Sequence, residues 1–214
     1  MSKNNVNKII RALIVSDFFL FFSIGLLAPI FAVFILNNIA NKIEVIGYAV
    51  AAYWAARVIS VVPFSRLMDK MTGEMDEYFF MILGTMIVSS IPLFYIISSE
   101  PWHIYLLQII SGLANSLAVP AWRILFTHHV DKPIIGLEWS LEDVGVGVAT
   151  AASAMIGAFV ADRFGFNLLF VMYFICGLIS VSILLSLGQI KRSIIKELFR
   201  HPGDKAPLKI DGIK

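Results

Sequence analysis

Residues 18–41 read FFLFFSIGLLAPIFAVFILNNIAN, 24 positions without an Asp, Glu, Lys or Arg. A helix of that length covers about 36 Å, more than the roughly 30 Å of hydrocarbon in a bilayer. Four more charge-free gaps follow: 22 residues between Glu77 and Glu100, 22 between Glu100 and Arg123, 18 between Asp143 and Asp162, and 27 between Arg163 and Lys191. A further stretch, 45–64, is broken only by Arg57. Together they predict an all-α membrane protein of six transmembrane helices, at about 10–36, 45–64, 79–98, 102–126, 138–161 and 166–187.

The whole composition agrees. Of 214 residues, 58% are hydrophobic and 15% charged, whereas soluble domains run near 45–50% apolar with about a quarter charged. Mean hydropathy is +0.82. A single soluble core cannot hide that much apolar surface, but a bilayer accepts it. The lone Cys176 excludes an intramolecular disulfide. The first apolar run is too long for a signal-peptide core and lacks a cleavage site, so it is expected to remain as a membrane helix.

Lys and Arg are distributed unevenly among the connections. Lys3, Lys8, Arg11, Arg66, Lys70, Arg123, Lys132 and the seven basic residues from Lys191 to Lys214 make 14 on one side, against Lys42 and Arg163 on the other. Basic loops stay inside, so both termini are expected in the cytoplasm. Residues 1–189 form the predicted bundle and 190–214 a cytoplasmic tail. The tail starts KRSIIKELFR, in which Ile194, Ile195, Leu198 and Phe199 share one helical face, the pattern of an interfacial basic helix. Beyond Pro202 the sequence is expected to be disordered.

The segment Pro63-Phe64-Ser65-Arg66-Leu67-Met68-Asp69-Lys70-Met71-Thr72-Gly73, placed in a loop between helices 2 and 3, resembles the cytoplasmic signature of the major facilitator superfamily. Ser65, Leu67, Asp69 and Lys70 match it in type and spacing; Thr72 stands where the family has glycine, and Glu74 departs from its basic pair. Helix 4 is similar to the family's fourth helix through Gln108, Ser111-Gly112 and Pro120, with Gln108 where the family carries Arg. The run Gly157-Ala158-Phe159-Val160-Ala161-Asp162-Arg163-Phe164-Gly165-Phe166 is much like the family's helix 5–6 junction, and Ser153-Ala154 stands where its antiporters carry Gly-Pro.

The resemblance implies a transporter rather than an enzyme, without cofactor or resident metal. It also implies one six-helix half of a twelve-helix body. The second half would be a parallel copy of the same chain or a different partner. Family members join their halves through helices 2 and 5, and both carry small residues here: Gly47, Ala51 and Ala55 on helix 2, and Gly145, Ala149 and Ser153 on helix 5. Such stripes permit close helix approach, so they are the expected dimer interface, unless they pack only within the subunit. At the cytoplasmic end, Asp69 is the expected conformational latch, with Arg123, Lys70 or a partner helix end to pair with.

Ionisable groups inside a membrane are costly and therefore functional candidates. Asp17 and Arg57 each lie about 12 Å from the cytoplasmic boundary, on consecutive helices, which makes an ion pair geometrically feasible. Asp17 would accept a proton or cationic solute, and Arg57 would tune it or bind an anion; the alternative is a purely structural pair. Glu138 and Glu142 share a helical face with Gly145 and Ala149, and Glu142 can point into a central cavity. Asn115, in stripe with Gln108, Ser111 and Gly112, can line a water-filled path or, as is more common, hydrogen-bond neighbouring helices. His128, His129 and Asp131 are adjacent on one loop and lack a converging third ligand, a poor pattern for a metal.

The expected function is therefore secondary active transport of a small solute by alternating access in the inner (plasma) membrane. The alternative is a non-transporting membrane partner that keeps the half-fold. Lipid, a small-molecule substrate and a second copy are the expected partners, and nucleic acid is not.

Overall fold

The computed structural model describes residues 7–70 and 75–190. Among them are six helices long and apolar enough to cross a membrane. The first, α1, starts as Lys8–Leu27, tightens through a 3-10 turn at Ala28–Ile30, and resumes as Phe31–Asn38. Pro29, which cannot donate to the ladder, explains the break. Asn7 caps the start, its side-chain oxygen accepting from the Ile9 N–H at 3.0 Å. Then come α2 (Ile43–Lys70), α3 (Met75–Tyr95), α4 (Pro101–His129), α5 (Ile135–Phe164) and α6 (Phe166–Ile190). Only Gly165 separates α5 from α6, at φ 83°, a left-handed conformation that favours glycine.

The helix count matches expectation, but one boundary moves in an informative way. The signature segment was expected in a loop; instead Pro63 to Lys70 continue α2. Met68 is fully buried among Ile10, Leu13 and Met81, which anchors this last stretch, while Arg66, Asp69 and Lys70 are exposed. Charge marks where the hydrocarbon ends, not where the helix ends. Thr72, Gly73 and Glu74 lie outside the described residues, as does the basic tail from Lys191.

Packing runs as an open arc: α2 on α4, α4 on α3, α3 on α6, α6 on α1, and α1 on α5. The helices α2 and α5 are its two ends. Only 17% and 22% of their apolar windows are buried, against 33% or more in the other four. Large side chains stay exposed along both, among them Val58 and Ile59 on α2 and Val144, Met155 and Phe159 on α5. Lipid or another apolar surface must cover them.

The seams inside the arc are made by small residues. A Cβ on Gly157 would collide with the Leu26 carbonyl, and one on Gly25 with the Ser153 hydroxyl, so α1 and α5 touch nearly backbone to backbone. Ser60 donates to Ser116 at 2.8 Å across α2 and α4, and Ser116 lies 3.0 Å from the Gly112 carbonyl of its own helix. These contacts correct the expected dimer interface. Ala149 and Ser153 are fully buried against α1, and Gly145 faces Ile14, so the α5 stripe is used within the subunit. One helix face cannot serve two partners. Gly47, Ala51 and Ala55 on α2 are exposed, and no atom lies within 4 Å of a Cβ built on Gly47.

Two apolar clusters close the bundle. Ile10, Leu13, Ala121, Phe126 and Leu187 pack at the end bearing Lys8 and Lys70. Leu26, Phe34, Ile104, Phe170 and Tyr173 pack at the other. Between them the side chains leave two cavities.

Candidate functional site

The α1–α5 contact determines what meets in the nearer cavity. With Gly145 against Ile14 and Ser153 against Gly25, the two helices run parallel in fixed register. That register brings Glu142 on α5 to Asp17 on α1. Their carboxyl groups lie within hydrogen-bonding reach of each other, and Asp17 is only 8% exposed. Both line a cavity of about 150 Å³ whose other polar walls include Thr85 on α3, Asn115 and Arg123 on α4, and Ser180 on α6. Arg123 is close enough to act electrostatically on Glu142.

Several of these groups keep an unused hydrogen-bonding face. Asn115 donates to the Ser111 carbonyl at 3.1 Å, which fixes its amide and leaves the side-chain oxygen for the cavity. The indole N–H of Trp122, another lining residue, is buried without a partner. Its ring is held by stacking on Phe126 at 4.8 Å, and Phe126 packs in turn on Trp139. Leu20, Phe21, Ile24, Val88 and Leu184 complete apolar walls. The cavity thus offers two acids and an amide oxygen among mainly apolar walls.

Arg57 is not there. The expected pairing of Asp17 with Arg57 is corrected by the packing: α2 lies on α4, across the arc from α1. Arg57 instead donates to the Tyr53 hydroxyl at 2.9 Å and lies 5.2 Å from the centroid of the Trp54 ring. A cation–π contact and one neutral acceptor on its own helix let the guanidinium stay in the span without an acid. Nor does Asp69 meet Arg123, one of its expected latch partners. Asp69 and Lys70 are exposed at the end of α2, whereas Arg123 is at the cavity beside Glu142.

The α4–α5 connection is organised by another acid. Glu138 is fully buried and accepts the Asp131 N–H at 2.8 Å, which ties the loop to the first turn of α5. Sequence spacing placed Glu138 and Glu142 on one face, but it could not assign one to the loop and the other to the cavity. Thr85, Trp122 and Ser180 were missed as lining residues. Each reads as an ordinary residue of its helix, and only the packing of α3, α4 and α6 turns them inward.

Comparison with known proteins agrees with the fold. The family model of the Major Facilitator Superfamily matches residues 13–208. Similar proteins include the multidrug resistance protein MdtG of Proteus mirabilis (strain HI4320), 26% identical over 165 residues, covering 76% of this chain and 40% of that one. The maltose permease of Geobacillus stearothermophilus is 24% identical over 155 residues, 71% of this chain and 38% of the permease. The uncharacterized MFS-type transporter YitZ of Bacillus subtilis (strain 168) is 22% identical over 163 residues, 74% of this chain and 96% of YitZ. This chain therefore spans about 40% of the length of MdtG and the maltose permease. With a family match across most of its length and six membrane-length helices in one bundle, the chain belongs to the major facilitator superfamily.

Proposed function

We propose that the chain is a secondary transporter that exchanges a proton for the cationic group of a small amphiphilic solute at the Asp17–Glu142 pair. The observation that carries this proposal is the meeting of two carboxyls from different helices in an otherwise largely apolar cavity. Two unit charges about 4 Å apart repel by about 4 kcal/mol at an effective dielectric constant near 20. The pair is therefore stable when it holds a proton or a cation, and exchanging one for the other leaves the local charge balanced. Arg123 limits the net negative charge, and Asn115 supplies an orienting hydrogen bond to the solute. The apolar walls favour an amphiphilic molecule over a bare metal ion.

Movement requires a second body. Six helices in an open arc leave α2 and α5 uncovered, and a second six-helix bundle, most simply a parallel copy, fits that need. On α2 the contact would use Gly47, Ala51 and Ala55; on α5 it would use the exposed Val144–Phe159 face rather than the small-residue stripe. Rocking the two bundles would open the cavity alternately to either side. In this scheme the termini face the cytoplasm, the protein lies in the inner (plasma) membrane, and Asp69 closes against the other bundle in one of the two states.

The test is transport in proteoliposomes, with N-methylpyridinium, a cation of one ring that suits a cavity of about 150 Å³, as the probe. An imposed pH gradient is expected to drive N-methylpyridinium against its concentration gradient, and a protonophore is expected to abolish the movement. Fluxes equal to those of protein-free liposomes under both conditions would refute the proposal.

A further inference from the structure

The second cavity, about 190 Å³, lies toward the opposite end of the bundle, between α1, α3, α4 and α6. It shares only Ile24 and Val88 with the lining of the acid-pair cavity. Gln108, in its wall, precedes Asn115 by seven positions, about 10 Å along α4. Its polar lining is entirely uncharged: Tyr95, Tyr173, Gln108 and Ser111.

These four groups look inward with nothing to bind. Tyr95 is 4% exposed and Tyr173 is 6% exposed, yet among the described residues neither hydroxyl has a hydrogen-bond partner. The same holds for the Gln108 amide and the Ser111 hydroxyl. Tyr95 and Tyr173 are buried side chains and Gln108 and Ser111 half-buried ones, so four polar groups converge on one cavity with hydrogen-bonding capacity free for a ligand. The tyrosine side chains are aimed by packing rather than by hydrogen bonds. Tyr95 sits 5.7 Å from Phe31, 5.8 Å from Phe34 and 5.7 Å from Phe170, centroid to centroid. A site held open in this way is pre-organised, and binding needs little reordering.

We propose that this cavity binds an uncharged, single-ring molecule bearing hydroxyl or carbonyl groups. Size sets the ring count, because an apolar cavity of about 150 Å³ takes one benzene. The walls of Leu27, Phe31, Ile91 and Pro92 suit the ring face. Hydroxyl and amide groups can both donate and accept, which matches hydroxyl and carbonyl substituents. An ion would lose its hydration here and find no counter-charge in the lining. This inference does not depend on the exchange role of the acid pair.

The probe is radiolabelled 4-hydroxybenzamide, in equilibrium dialysis against the protein in lipid nanodiscs, with protein-free nanodiscs as the blank. Saturable binding above the blank is expected. Tyr95→Phe combined with Tyr173→Phe keeps both rings and should weaken binding about tenfold, since each hydrogen bond contributes a few-fold. Gln108→Leu should weaken it several-fold and provides a second variant if the first is unstable. Asp17→Asn should leave it unchanged, which separates this site from the transport proposal. Absence of a saturable component, undiminished binding in both the double Phe and the Gln108→Leu variants, or equal affinity for the anion 4-hydroxybenzoate would overturn the proposal.

Discussion

Asp17→Asn is expected to reduce pH-gradient-driven movement of N-methylpyridinium to the level of protein-free liposomes while preserving its binding. The substitution keeps the side chain's size and removes the carboxyl that meets Glu142. Glu142 alone then remains as a single carboxylate beside Arg123, still able to attract a cation but with no second acid to share a proton. Coupling is lost and binding persists, a separation that general misfolding would not give. Glu142→Gln should behave alike. Arg57→Gln should leave coupling intact, because Arg57 is engaged with Tyr53 and Trp54 and not with the cavity. Full gradient-driven movement in Asp17→Asn would remove the pair from the mechanism.

Gly157→Leu is expected to cost about 3 kcal/mol, the upper end of overpacking penalties, and to lower the unfolding midpoint in detergent accordingly. An added Cβ meets the Leu26 carbonyl, which is backbone and cannot rotate away. Relief by sliding α1 is blocked one turn earlier, where Gly25 already touches Ser153 and Thr150. The damage should extend to function, since the same α1–α5 register brings Glu142 to Asp17. Gly47→Leu is the contrast: open space surrounds its Cβ, and leucine is the better helix former. The folded subunit should be no less stable, and any loss would appear in association between bundles. An unchanged midpoint in Gly157→Leu would mean that the seam is looser than this geometry.

The six spans were legible in the sequence because hydrocarbon thickness imposes a minimum charge-free length, and 18–41 satisfies it outright. The end of α2 was not, because Arg66 and Lys70 read as loop residues in sequence, whereas long basic side chains reach the interface from within a helix. Asp17, Asn115 and Glu142 stood out as polar groups in apolar runs, and all three line one cavity. Their pairing did not stand out. Neighbours in sequence suggested Asp17 with Arg57, but charge in a membrane can also be held by aromatic rings, as Trp54 holds Arg57. The small stripe of α5 was visible too, yet spacing alone cannot tell an interior seam from an outer one. The glycine on the facing helix, Gly25, is what makes it interior.

The central claim is that the Asp17–Glu142 pair gives up a proton when a cation binds. Its most direct test is proton release from purified protein in weakly buffered detergent, followed with a pH indicator during titration with N-methylpyridinium. The expected result is close to one proton released per N-methylpyridinium bound in the unaltered protein, and none in Asp17→Asn at comparable binding. Equal release by the two proteins, or binding without release in the unaltered one, would contradict it.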